Sequence, residues 1–314
     1  MALATDALTT YLAIGRREDL SDVIYNIAPT ETPFLSAIES VKATATLHEW
    51  QTDTLAAASS TNIVLEGEDA AATDAATVTI RLANTCQISD KLPRVTGTQI
   101  VVVSAGRRDE LAYQVLKRIK ELKRDMESSL LANIAEDAGN STTARALGGI
   151  GSWIDTNSDF GTGGSDGSLG NTARNDGTQR VFTEARLKTV LRSCWDNGGD
   201  PDCIMVGSFN KEKISGFAGN ATREIGAQDR ELIATIDLYV GDFHHIQVIA
   251  NRFQRSRDAL ILQKDMWAVA YLRAVGIQNL SKTGDSERRL LLVEFTLESR
   301  NEAASGAVWD VNTS

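Results

Sequence analysis

The sequence predicts an α+β protein. Three observations carry that expectation: a long amphipathic helix before the midpoint, a threonine-rich hairpin ahead of it, and a run of short strands and helices behind it. With 314 residues the chain has room for one or two compact units with a sizeable core.

The first 43 residues read as an extended arm. Pro29 and Pro33 interrupt any helix, yet Val23, Ile24, Tyr25, Ile27, Phe34, Leu35 and Ile38 are many apolar groups for so irregular a segment. They need a surface to lie on, in this chain or in a neighbour. Residues 44–96 follow as a hairpin, with one strand from Ala43 to about Leu55 and a second from Thr77 to about Leu92, both rich in threonine and alternating types. Eleven such residues extend about 36 Å. The alanine-rich, acidic tract between them carries Glu66, Glu68 and Asp69 and no aromatic residue. An isolated hairpin of this length is marginal in water, so something must cover it.

The clearest helix is expected from Glu110 to Asp137. Leu111, Val115, Ile119, Leu122, Met126, Leu130 and Ile134 recur every three or four residues as one apolar stripe. Seven basic residues between Arg107 and Arg124 face three acids, a local balance of +4. Arg118 and Arg124 on that face can meet DNA, acids of a neighbouring subunit, or only solvent and their own Glu121 and Asp125. Residues 155–178 read as a flexible glycine- and aspartate-rich surface loop that marks a boundary. Beyond it, residues 181–275 alternate short elements: a helix with Leu187, Val190, Leu191 and Cys194 on one face, the strand CIMV, and a hairpin turning at Gly241 and Asp242. Residues 276–314 supply a long return strand and the C-terminus.

Composition narrows the function. A net charge of −10 argues against a protein whose main task is gripping nucleic acid, without excluding a container for it. No apolar run reaches bilayer length, and the N-terminus does not read as a signal peptide, so a cytoplasmic origin and no membrane are expected. Cys86, Cys194 and Cys203 form no CxxC pair and read as small core hydrophobes. His48, His244 and His245 are too few and too scattered to suggest a catalytic or metal centre, and no GxSxG, HExxH or phosphate-binding loop occurs. Asp155, Asn157 and Asp159 open like a calcium loop, but Phe160 stands where the glycine belongs, so a solvated loop is the expectation. No cofactor is implied. Trp50 is a large side chain suited equally to an interface or a core.

Four segments, residues 19–38, 43–57, 105–131 and 280–306, together resemble the phage major capsid proteins of the Hong Kong 97 fold, in the subfamily of the SU-type podoviruses. The resemblance runs over nearly the whole chain. It implies an N-terminal arm (1–43), an E-loop (44–96), a P-domain with a spine helix (97–180), an A-domain (181–275) and a return strand (276–314). It further implies homo-pentamers and homo-hexamers closing an icosahedral virion shell in a bacterial cytoplasm. Double-stranded DNA would be enclosed without sequence-specific binding, and a portal with decoration or scaffolding proteins would be partners. Tyr25, Phe34, Trp50, Glu66, Glu68, Asp69, Arg118 and Arg124 are then the candidate intersubunit contacts, with no catalytic residue. An encapsulin-like compartment shares the fold and stays open, as does, more remotely, an α+β hydrolase.

Overall fold

The computed structural model describes residues 30–67, 78–102, 108–217, 238–241, 243 and 245–314. The N-terminal segment enters through α1 (Pro33–Ala37), where proline at the first turn starts the helix without losing a needed donor. β1 (Glu39–Lys42) follows. β2 (Leu47–Thr52) and β3 (Ile80–Thr85) form the hairpin, in register from Leu47 with Thr85 to Thr52 with Ile80. Only six residues of each strand pair, and the expected second long strand breaks at Cys86. The break is tertiary in origin: Cys86 is fully buried with Ala43 and Ala270, and its N–H is taken by Thr46 O. Residues after it form β4 (Gln87–Lys91) in a different sheet, followed by β5 (Arg94–Thr96) and α2 (Gly97–Val101).

The long helix is α3 (Glu110–Leu130). Asp109 caps it by accepting from Ala112 N–H, and Glu110 in the first turn suits the helix dipole. Its 21 residues span about 32 Å. Leu111, Leu122, Met126 and Leu130 are buried as expected, with Val115 and Ile119 partly buried beside them. The helix stops seven residues short of Asp137, and Ile134 is 46% exposed. A crossing turn explains this. Gly151 N–H donates to Ala132 O, and the N–H groups of Glu136 and Asp137 go to Gly170 O and Ala146 O, so backbone groups that a helix running to Asp137 would pair internally are bound elsewhere. Gly149 and Gly151 lie so near Ala132 and Asn133 that a Cβ on either would collide.

After α4 (Ile150–Trp153) and β6 (Ser158–Asp159) come α5 (Glu184–Asp196), β7 (Cys203–Val206), α6 (Ser208–Ser215), β8 (Leu238–Val240), β9 (His245–Ala250) and β10 (Ala259–Leu262). The chain closes with β11 (Trp267–Asn279), β12 (Ser286–Ser299) and β13 (Gly306–Val308). A six-stranded mixed sheet runs in the order β6-β13-β10-β7-β9-β8; a five-stranded sheet runs β1-β11-β12-β4 with β5 also on β12. The expected boundary at residue 275 therefore falls inside β11, and β13 from the C-terminal segment completes the six-stranded sheet. One core lies between α3, the five-stranded sheet and one face of the six-stranded sheet, with Trp153, Trp267 and Trp309 fully buried. A second lies under α5 and α6 on the opposite face. Cys86, Cys194 and Cys203 are buried free thiols, as expected, and burial pushes them up to about 11, 12 and 12.

Candidate intersubunit surfaces

The hairpin divides into a fixed root and a bare end. At the root, Trp50 Nε1 donates to Ser299 O at 2.7 Å, and its ring sits 5.4 Å from that of Trp153. Asn84 is wholly buried: its amide donates to Leu297 O and Gly148 O and accepts from Gly148 N–H. His48 Nε2 lies 2.8 Å from Glu298 Oε2. That contact, helped by Arg300 against the effect of burial, holds the Glu298 carboxyl below its usual range. Past Thr52 the described residues up to Gly67 are exposed. Leu55 is 99% exposed and Ile63 84%, with Val64 and Leu65 similar. Glu66 is exposed here, while Glu68 and Asp69 lie outside the described residues.

Trp50 is thus a half-buried anchor within its own chain. Phe34, expected at an intersubunit contact, is a core residue of its own chain at 1% exposure. The arm's apolar side chains at Phe34 and Ile38 find their surface in the same chain, because Glu127 of α3 draws α1 down. Its buried carboxylate accepts from Phe34 N–H and Leu35 N–H at 2.8 Å and from the Asn251 amide at 2.7 Å. Burial raises its pKa, and those three donors oppose the rise. Tyr25 lies outside the described residues.

On the basic face of α3, Arg118 pairs with Glu121 one turn away, and the Arg124 guanidinium covers the Phe253 ring at 5.3 Å. Both are only half-exposed. Lys117, Lys120 and Lys123 are the exposed cations of that face.

Residues 155–178 are not the plain surface loop that their composition suggests. Arg174 is buried, with its Nη2 within 3.2 Å of Asp176, Asp258 and Asp310 and its guanidinium 4.5 Å above the Trp309 ring. Arg255 and Arg257 close the cluster from the rim. Asp310 adopts φ of +56° and accepts from Gly161 N–H as well. Asn133 grips the backbone of Arg174 at both N–H and C=O. The residues of the calcium-like pattern serve this packing: Asn157 is buried between Ala303, Ser305, Ser193 and Asn197, and Asp159 pairs with Arg180 and Arg186. Glu127, Asn84 and Arg174 escape sequence reasoning. The available signals were faint: a lone acid beside the apolar stripe, an amide inside a strand, and one arginine in a glycine-rich loop.

Burial pushes Asp258 from its ordinary 3.8 up to about 6, against the pull of Arg255 and Arg174. An acid raised on folding binds its proton more tightly in the folded state. Its contribution to stability is then fullest below about pH 4 and is lost as pH rises through about 6. Asp258→Asn should flatten this part of the stability–pH curve, by about 3 kcal/mol at most. Urea unfolding of the unassembled chain across that range checks it; an unaltered slope would mean that Asp258 titrates as a wet carboxylate.

His48 is engaged at the hairpin root, His245 is exposed on β9, and His244 lies outside the described residues. Among the described residues no group of three His, Cys, Asp or Glu is placed to hold a metal ion, and no helix is long and apolar enough to cross a membrane.

Residues 4–312 match the family described as SU10 major capsid protein. The major capsid protein of Escherichia phage Phieco32 is 25% identical over 332 positions, covering 94% of each chain. Among solved structures, the cyanophage A-1(L) capsid asymmetric unit superposes with a TM-score of 0.67 at 15% identity, covering 98% of this chain and 99% of that one. The capsid of a native GTA particle gives 0.63 at 10% identity, covering 96% and 97%. A Mycobacterium phage Adephagia chain gives 0.60 at 12%, covering 99% of both. These matches favour neither the encapsulin-like compartment nor the hydrolase. A fold shared with phage capsid chains and a family match over nearly every residue lead to one conclusion: the chain belongs to the SU10 major capsid protein family and is a structural shell subunit of a tailed phage, not an enzyme.

Proposed function

We propose that copies of this chain join in rings of five and six that close into an icosahedral shell around double-stranded DNA, each subunit laying its hairpin, the E-loop, over a neighbour. The observation that supports this best is the contrast along the hairpin. Its root is tied by Trp50, Asn84 and His48, while the Leu55, Ile63 and Val64 side chains are exposed in the single subunit. Exposed apolar groups gain by being covered, and a second copy is the partner a shell supplies at high local concentration. The acidic stretch at Glu66, Glu68 and Asp69 then finds its counter-charge on Lys117, Lys120 and Lys123 of the neighbour's α3 more readily than on Arg118 and Arg124, which have partners in their own subunit. Exposed pairs of this kind are each worth about 0 to 1 kcal/mol, and closure repeats them around every ring. In this reading DNA is enclosed without sequence-specific contact. A portal and decoration or scaffolding proteins complete the particle in the bacterial cytoplasm.

Deleting residues 55–76 tests it. The expected product is a soluble, folded subunit with near-normal melting behaviour that forms no closed shells under negative-stain microscopy. Particles of normal size would refute the role of the hairpin end.

A further inference from the structure

Glu39, Arg300, Glu298 and His48 form a continuous polar chain across the five-stranded sheet. Arg300 Nη1 lies 2.7 Å from Glu39 Oε2, Arg300 Nε donates to Glu298 Oε1 at 3.1 Å, and Glu298 Oε2 lies 2.8 Å from His48 Nε2. Sheet register explains why these groups meet. Glu39 of β1 stands opposite Ala268 of β11, and Ala268 stands opposite Glu298 of β12. Residues in one such row share a face, so two carboxylates flank a small buried alanine, about 10 Å apart across two strand spacings. Like charges on one face repel, and Arg300 is the cation that bridges them. Each oxygen of Glu298 has one partner, Arg300 on the arm side and His48 on the hairpin side. The Arg300 guanidinium is further fixed by donating to Asp265 O at 3.2 Å.

We infer that Arg300 and Glu298 are positioning residues that couple the arm strand β1 to the root of the E-loop. With β1 docked, Glu39 holds the guanidinium in the plane that serves Glu298, and Glu298 then holds His48 beside Trp50, whose ring centroid is 5.6 Å away. When β1 leaves the sheet, Arg300 loses Glu39 and is held only by Glu298 and Asp265 O, so its grip on Glu298 weakens and the hairpin root loosens. The arm and the E-loop, which join no common strand pair, thereby report on each other. The effect is modest, because Glu39 and Arg300 are partly solvated while Glu298 and His48 are mostly buried. The inference holds whichever surface the hairpin end meets.

Hydrogen–deuterium exchange on the full-length, unassembled chain tests the coupling through residues 47–52 and 80–85. Glu39→Gln should raise exchange there by roughly two- to five-fold, although Glu39 touches neither strand. In an Arg300→Gln background, where the chain is already cut, adding Glu39→Gln should raise it no further. His48→Gln serves as the positive control for a loosened root. The inference is overturned if Glu39→Gln leaves the root unchanged while His48→Gln loosens it. It is also overturned if Glu39→Gln acts equally with and without Arg300, since the signal then travels by another route.

Discussion

Arg174→Leu is expected to destabilise the subunit by about 3 to 5 kcal/mol, the cost of breaking a buried ion cluster from one side. Arg174 is the only member of the cluster that touches Asp176, Asp258 and Asp310 together. Without it, Asp310 keeps Arg257 and Asp258 keeps Arg255, both at the rim, which places the loss toward the lower end of that range. The stacking on Trp309 is lost too, adding about 1 kcal/mol. Arg174→Lys should recover little, because an ammonium has no planar fork to serve three carboxylates. Asn133 holds only the backbone at this position, so it is unaffected by either substitution. Urea midpoints of the unassembled chain measure the effect. A loss below about 1 kcal/mol would show that water reaches the cluster and screens it.

Met126→Asp should abolish soluble protein. Met126 is 1% exposed in the core between α3 and the sheets, so the change forfeits about 1.5 to 3 kcal/mol of burial and leaves a carboxylate without a partner. Glu127 next to it is no precedent, since three donors satisfy that carboxylate. From the apolar stripe alone, Ile119→Asp is expected to be as damaging. Ile119 is only partly buried, however, and a carboxylate there can reach water, so a soluble but destabilised protein is the revised outcome. Soluble yield and circular dichroism of the two variants distinguish the cases. A well-folded Met126→Asp subunit would mean that α3 presents another face to the core.

The phase of α3 was legible because a 3.6-residue period leaves its mark on every turn, and Leu111, Leu122, Met126 and Leu130 fall on the buried side as the spacing requires. Its end was not legible. Leu131 to Asp137 continue a helix-compatible pattern, and only later segments, at Ala146, Gly151 and Gly170, take the backbone groups that would extend it. The second hairpin strand shows the same limit: apart from Asn84, the alternation continues through Cys86, while the sheet to which each half belongs depends on Thr46 and on β12. Residues 155–178 were misjudged because composition counts glycines and aspartates as solvent-loving, whereas here the glycines permit close backbone approach and Asp176 joins the Arg174 cluster.

By itself, the sequence determined the α+β class, the hairpin, long helix and mixed sheet in that order along the chain, and the burial of the three cysteines. These depend on residue type and on short periods, which are local properties of the chain. Only the tertiary structure decided that Phe34 belongs to the core, that Trp50 anchors its own hairpin, that Arg118 and Arg124 are engaged within the subunit, and that Glu127, Asn84 and Arg174 fasten distant segments together. A buried polar group must find partners or be excluded from the core. Those partners, Asn251 for Glu127, Leu297 for Asn84 and Asp310 for Arg174, lie more than a hundred residues away along the chain, where no local pattern can announce them.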